Sequence, residues 1–270
     1  MDRRQFIRQG TLAMLWSLFG LAGPARAAGF GARPGAQSKP RIALIIDDIG
    51  FSRSRARAFL EIGVPMTFAV LPRLRFSKSL AFEIHEQGRQ VMLHQPMEPF
   101  NAALDPGPGA VFVRDEPKKI VSTVQENLEE IPFVAGVNNH MGSRFTASSE
   151  KMSQVLPVIH EKGLFFVDSL TSGRSTAFRT AQNLHMPTAS RNVFLDNRRD
   201  VHAILERLDQ LRRHALTRGH AIGIGHPHPE TSRAVKAFVS SLDASKVDLV
   251  HVSRLLEPDF PHAPEARPFR

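Results

Sequence analysis

Cysteine is absent from this chain, which excludes disulfides, thiolate nucleophiles and cysteine-based zinc sites. Tyrosine is absent too, and the basic residues are scattered without aromatic interleaving, which argues against nucleic-acid binding despite a net charge of +9. Residues 1–28 hold four arginines and one aspartate, so the rest of the chain carries +6, a generic basic surface. There is no G-x-S-x-G, and no serine stands in an evident elbow context, so a serine triad is disfavoured. Neither an internal repeat nor a long linker interrupts residues 41–258, which read as one domain.

The first 28 residues have their own grammar. Asp2-Arg3-Arg4-Gln5-Phe6-Ile7-Arg8 precedes an apolar stretch from Leu12 to Ala22, and Pro24-Ala25-Arg26-Ala27-Ala28 follows. A basic start, a short apolar segment and an A-x-A site stand in the order of a signal peptide. The apolar stretch falls short of the ~20 residues that span a bilayer, so no stable membrane anchor is expected after cleavage. The paired arginines resemble the twin-arginine export signal, with Asp2 replacing the usual Ser or Thr, and imply a periplasmic or otherwise exported protein. Residues 29–40, rich in Gly, Ala and Pro, read as a flexible linker. Residues 259–270 read as a disordered tail.

From Arg41 onward, strand-like runs alternate with helical ones. Ser52, Ser77, Pro117, Ser149 and Asp200 mark helix starts, and Gly63, Gly88, Gly163 and Gly219 mark helix ends. A last helix is expected from about Thr231 to Leu242. Eight strand candidates separated by helices imply right-handed βαβ units and a parallel sheet or barrel. The stretch from Pro96 to Glu116 is long for a loop and is expected to wall a cleft.

The chemistry-bearing residues fall where hydrophobic strands end. Ile45-Ile46 runs into Asp47-Asp48, Leu93 into His94, Val137 into Asn138-Asn139-His140, Val167 into Asp168, and Ile224 into Gly225-His226. Parallel strands share one rim at their carboxyl ends, and sites are built there. Two adjacent carboxylates raise each other's pKa unless a cation relieves them. A divalent metal would let one ligate while the other holds a water as general base. Neutral imidazole suits zinc and related metals, which makes His94 and His140 candidate ligands. Glu98 is an alternative ligand, and a substrate contact or core packing is the alternative for His140. His226 is the candidate general acid, with His228 as competitor and Asp168 as the acid that could orient it. His85, His160, His185, His202 and His214 fall in or near helices and read as solvated or capping. The asparagines and serine of 138–143 could hydrogen-bond sugar hydroxyls or simply make turns.

These residues resemble the polysaccharide deacetylase superfamily, and more closely its divergent branch, over about Arg41 to Pro258. Asp47-Asp48-Ile49-Gly50 looks like the family's T-F-D-D-G motif, in which the first Asp is the base and the second a metal ligand. Gly88 to His94 looks like the approach to its H-x-x-x-H motif, and Gly225-His226 like the late motif that supplies the acid histidine. Glu98 stands where the second metal histidine belongs. The R-x-P-Y motif is missing, so Arg144 or another residue must replace the arginine that tunes the base. The resemblance implies a distorted (β/α) barrel of about seven to eight parallel strands. It also implies a metal held by Asp48 and His94, with Asp47 as base and His226 as acid. His140 is the expected third ligand in place of the missing motif, and zinc is the expected metal from the mixture of imidazole and carboxylate. Asp168 is added to the catalytic set from its place on the rim. The expected reaction is hydrolysis of N- or O-acetyl groups on a carbohydrate polymer such as peptidoglycan. The competing expectation is a catalytically inactive envelope protein that binds glycan or a protein partner.

Overall fold

The computed structural model describes residues 39–256. The expected signal peptide and tail, and all of the linker before Lys39, lie outside the described residues. In chain order the elements are β1 (Arg41–Ile49), α1 (Arg53–Leu60), β2 (Thr67–Val70), α2 (Ser77–Glu86), β3 (Gln90–Met97), α3 (Pro117–Glu130) and β4 (Val134–Met141). Then come α4 (Ser149–Glu161), β5 (Phe165–Asp168), α5 (Ala177–Asn183), β6 (Thr188–Ser190), β7 (Val193–Phe194) and α6 (Val201–Arg218). The last are β8 (His220–Gly225), α7 (Pro229–Ser241), β9 (Asp248–Val250) and a 3-10 turn over Val252–Leu255.

Every strand pairing is parallel, and the order is β6-β5-β4-β3-β2-β1-β8-β7. β9 adds to the amino-terminal half of β1, pairing with Arg41 to Ala43. The two end strands of this path, β6 and β7, are separated in sequence by Arg191 and Asn192 alone. Three Cα–Cα steps span at most about 11 Å, so the sheet must curl until its edges nearly meet. The link stitches the seam, since Arg191 N–H donates to Asp168 O and Asn192 N–H to Ile222 O. The result is a barrel with a break between β6 and β7 instead of continuous pairing.

Two apolar layers follow from period-two alternation. Ile42, Leu44 and Ile46 of β1, with Phe68 and Val70 of β2, pack outward on helix residues such as Phe59, Leu80, Val124 and Leu208. Ala43, Ile45, Ala69, Met92, Val167, Ile222 and Ile224 fill the inside, with Val252 and Leu255 of the 3-10 turn among them. The helix signals hold: Ser52 and Asp200 cap α1 and α6 through side-chain oxygens, and Gly219 ends α6 in the left-handed conformation.

Three elements differ from the sequence reading. β6 and α5 carry no apolar run or cap strong enough to announce them. His94, expected in a shaped loop because Pro96 bars a helix, lies within β3. Pro96 bars a helix but not this strand. β2 stops pairing at Leu93, so one edge of β3 needs no amide donor at position 96.

Candidate active site

The alternation that fills the barrel also aims the site. Ala43 and Ile45 point inward, so Asp47 does as well. Met92 leads to His94 by the same step, and Ile222 and Ile224 lead to His226. Asp48 should then face outward. Instead its backbone takes a left-handed φ of 56°, and the β1–β2 register slips between Ile46 and Ile49. That irregularity turns both neighbouring carboxylates toward one rim. Met141 and Leu170, just after His140 and Ser169, also have positive φ. Backbone strain of this kind is tolerated where a site demands it.

Asp48 Oδ1 lies 3.0 Å from His140 Nδ1 and 3.3 Å from His94 Nε2, and those two nitrogens are 3.2 Å apart. Asp48 Oδ1 is buried and accepts no well-formed hydrogen bond. Ligand atoms around a tetrahedral ion at bond lengths of about 2.0 Å stand about 3.3 Å apart, so this triangle has the dimensions of one face of such a site. A chain of hydrogen bonds sets the lone pair of His94. Asp47 Oδ1 accepts from Asn138 Nδ2 at 2.8 Å, which turns Asn138 Oδ1 toward His94 Nδ1 at 2.7 Å. His94 Nδ1 must therefore carry the hydrogen, leaving Nε2 free to ligate. Burial pushes the Asp48 carboxyl up, but the His140 and His94 imidazoles win and hold it well below the usual carboxylate range. Burial opposes a proton on His94, yet Asp47 and Asp48 together raise it. These groups gather negative charge that calls for a cation. The residues fit a divalent metal.

Asp196, His226 and His228 form the other cluster of metal-ligating types among the described residues. Both Asp196 oxygens and His226 Nδ1 are already committed. Asp196 Oδ1 takes His226 Nδ1 at 2.9 Å, and Oδ2 accepts from His226 N–H at 2.6 Å and Thr231 Oγ1 at 2.8 Å. Burial pushes His226 down, but the bond to Asp196 and the charges of Asp47, Asp196 and Asp48 together outweigh it, and its pKa is pushed up to about 9. Burial would raise Asp196, and its bonds to His226 keep it low and ionised. His226 Nε2 is left facing the first cluster, 3.9 Å from Asp48 Oδ2.

Asp47 is 3% exposed, with Oδ2 3.6 Å from His94 Nε2. Burial pushes its carboxyl up, against His94, His226 and Asn138, and the charge of Asp48 adds to the rise. The half-buried Arg191 donates to Ser169 O at 2.7 Å and Leu170 O at 2.9 Å. Burial pulls its pKa down, while Asp47 and Asp168 are near enough to push it back.

The structure thus brings Asp47, Asp48, His94, His140 and His226 together, and it separates others from them. Asp168 does not orient His226. Its Oδ1 accepts from Leu170 N–H, and its Oδ2 from Ser175 Oγ and Phe178 N–H, so it shapes the β5–α5 loop. Glu98 stands outside the Asp48–His94–His140 group, with Val113 N–H and Arg144 donating to its two oxygens. Arg144 is therefore occupied, and Arg191 is the arginine near Asp47. Asn138, Asn139 and Ser143 are bonded to Asp47, Met141 O, Ser169 N and Phe100 N instead of standing free for a sugar. The 98–116 loop is stapled to β3, with Glu98 N–H on Val111 O and Val111 N–H on Pro96 O. Asp196 had a legible signal, since it ends the strand-like run Val193-Phe194-Leu195 as the other acids end theirs. Arg191 follows no such run, and nothing local announces it.

The model of the family described as divergent polysaccharide deacetylase matches residues 44–256. The uncharacterized protein YibQ of Escherichia coli (strain K12) is 32% identical over 226 residues, covering 80% of this chain and 67% of YibQ. The crystal structure of the uncharacterized protein ATU2773 from Agrobacterium tumefaciens C58 superimposes with a TM-score of 0.76 at 25% identity, over 82% of this chain and 90% of that one. Two more distant structures share the fold. The catalytic domain of a peptidoglycan N-acetylglucosamine deacetylase from Eubacterium rectale ATCC 33656 matches with a TM-score of 0.53 and 13% identity, over 84% of this chain and 93% of that one. BA3943 of Bacillus anthracis, a CE4 family pseudoenzyme, matches with a TM-score of 0.51 and 16% identity, over 82% of this chain and 66% of that one. Strand order, rim residues and family match agree, and the chain belongs to the divergent polysaccharide deacetylase family.

Proposed function

We propose that the protein is an exported, metal-dependent carbohydrate deacetylase that hydrolyses N- or O-acetyl groups on a cell-envelope glycan. The observation that carries this reading is the triangle of Asp48 Oδ1, His94 Nε2 and His140 Nδ1 beside a buried Asp47. Asp48, His94 and His140 would hold the metal. A divalent ion there, zinc by the mixture of imidazole and carboxylate, would supply Lewis acidity and would lower the pKa of a bound water.

The chain's own groups divide the proton work. Asp47 Oδ1 is engaged by Asn138, so Oδ2 takes the proton as water oxygen bonds to the acetyl carbon. The carbon–nitrogen or carbon–oxygen bond then breaks, and His226 Nε2 delivers its proton to the departing amine or alkoxide. Acetate and the free amino or hydroxyl sugar result. Asp196 holds the His226 Nδ1 proton and favours the cationic ring, which can then act as acid. Arg191 borders Asp47 and offsets part of its charge.

The competing reading is recognition of glycan or protein without turnover. An unspent, buried Asp48 oxygen and a strained backbone are costs that a binding cleft has no use for, which favours hydrolysis. The test is acetate release from a panel of acetylated glycans after chelation, with single metals added back. Release that returns with metal is expected. Failure across the panel, with glycan or protein binding intact, would move the protein to the second reading.

Export rests on residues 1–28 and is tested separately. Replacing Arg3 and Arg4 together by Lys should abolish twin-arginine translocation, with cleavage of the native chain near Ala27. Normal export of that variant would remove the twin-arginine proposal. Among the described residues no helix is long and apolar enough to cross a membrane.

A further inference from the structure

The space beside Asp48 has a chemistry that acetyl hydrolysis alone does not require. A cavity of about 120 Å³ is lined by Asp48, Phe51 and Arg55 from the β1–α1 region and by Pro227 and His228 from the β8–α7 turn. A second space of about 390 Å³ shares Arg55, Pro227 and His228 with it and continues along α1 and α7. Phe51 is 65% exposed at the lip. Burying such a ring is worth about 1.5–3 kcal/mol, and the fold leaves this one unused.

The arginines of α1 sharpen the contrast. Arg53 donates to Ser79 and Arg57 to Glu83, whereas the Arg55 guanidinium makes no hydrogen bond or ion pair among the described residues. Arg199 is exposed and likewise without an ion pair among them. Burial lowers the His228 imidazole below its ordinary pKa, and Arg199, His226 and Arg55 add to the fall against Asp196. On the deacetylase reading, the negative charge of Asp48 would be taken up by the metal that it would hold with His94 and His140. The cavity therefore presents an aromatic face and one unpaired guanidinium, next to the candidate reacting centre. A planar guanidinium fork matches a carboxylate in two parallel hydrogen bonds.

We propose that this cavity is a subsite for a sugar ring that carries a carboxylate, with Phe51 against the apolar face of the ring and Arg55 paired to the carboxylate. The inference deepens the deacetylase reading and rests on it: the substrate is an acidic acetylated glycan, and the acidic unit sits beside the acetylated one.

Calorimetry on the full chain tests this without turnover. The probes are disaccharides of N-acetylglucosamine with glucuronic acid or with a 3-O-lactyl sugar, their methyl esters, and N-acetylglucosamine 6-phosphate. At least one acid should bind about five- to tenfold tighter than its ester, and Arg55→Gln should erase that difference. Phe51→Ala should weaken acid and ester alike, and Arg57→Gln should change neither. Equal affinity for acid and ester in the wild type, including no measurable binding of either, overturns the proposal. So does a preference that survives Arg55→Gln, or tighter binding of the phosphate than of both acids. Acid-selective binding without acetate release from any substrate would leave the subsite standing and remove the deacetylase reading. Equal acetate release from acid and ester, unchanged in Arg55→Gln, would remove the subsite alone.

Discussion

Asp48 with His94 and His140, and Asp196 with His226, are two carboxylate–imidazole clusters built from the same residue types on one rim. Their hydrogen bonds make them different devices. In the second, Asp196 faces an N–H with every oxygen, and the pair stores a proton. In the first, two ring nitrogens and one carboxylate oxygen face one another, and Asp48 Oδ1 is left without a well-formed hydrogen bond. A buried acceptor that no donor satisfies costs about 1–3 kcal/mol, and a cation removes that cost. Residue type thus says which chemistries are possible, and the pairing of donors with acceptors decides between a metal and a proton.

The largest expected effect breaks the first cluster. Asp48→Asn should lose the bound divalent ion and all metal-dependent acetate release, whereas His85→Ala on α2 should keep both. Elemental analysis of the purified protein reads this, and full metal in both Asp48→Asn and His94→Ala would show that other residues ligate.

Asp47→Asn should keep the metal and the fold while acetate release falls by roughly a hundredfold or more, the range of general-base loss. Loss of metal in this variant would make Asp47 a ligand and dissolve the division of labour between the adjacent carboxylates.

Asn138→Ala tests the bond chain that orients His94. Metal affinity should drop by about 10- to 100-fold, as for other groups that hold a ligand's tautomer. A competition titration with a chelating dye measures it. An unchanged affinity would mean that the His94 lone pair is set by something other than Asn138.

The mildest change acts on the second cluster. In the metal-free protein His226 should keep its proton up to about pH 9, and Asp196→Asn should bring its titration down toward the ordinary imidazole range. Asp168→Asn should leave it in place, because Asp168 bonds the β5–α5 loop instead. NMR titration of the ring resonances decides. A shift in Asp168→Asn as large as in Asp196→Asn would reinstate Asp168 as the orienting acid.

Much of this was legible before folding. The apolar runs ending at Ile46, Leu93, Val137 and Ile224 announced both the parallel strands and the rim residues that follow them. The helix caps at Ser52 and Asp200 were plain as well. Three things were not. Asp168 and Asp196 each follow a short apolar run, and sequence offers no means of telling which one meets His226. Arg191 sits in a two-residue link whose importance depends on the sheet curling until β6 and β7 adjoin. Glu98 occupies a plausible ligand position, and only the folded loop shows that Val113 N–H and Arg144 consume its oxygens.

Sequence by itself determined the architecture and the list of reactive groups, because period-two alternation, caps and strand ends are local properties of neighbouring residues. It did not determine the assignment of roles. Asp47 is oriented by Asn138, 91 positions away, and His226 by Asp196, 30 positions away. The left-handed turn at Asp48 defeats the alternation that would have sent its carboxylate outward. Those pairings are long-range hydrogen bonds in a buried, weakly screened rim, and they come into existence only when the barrel closes around them.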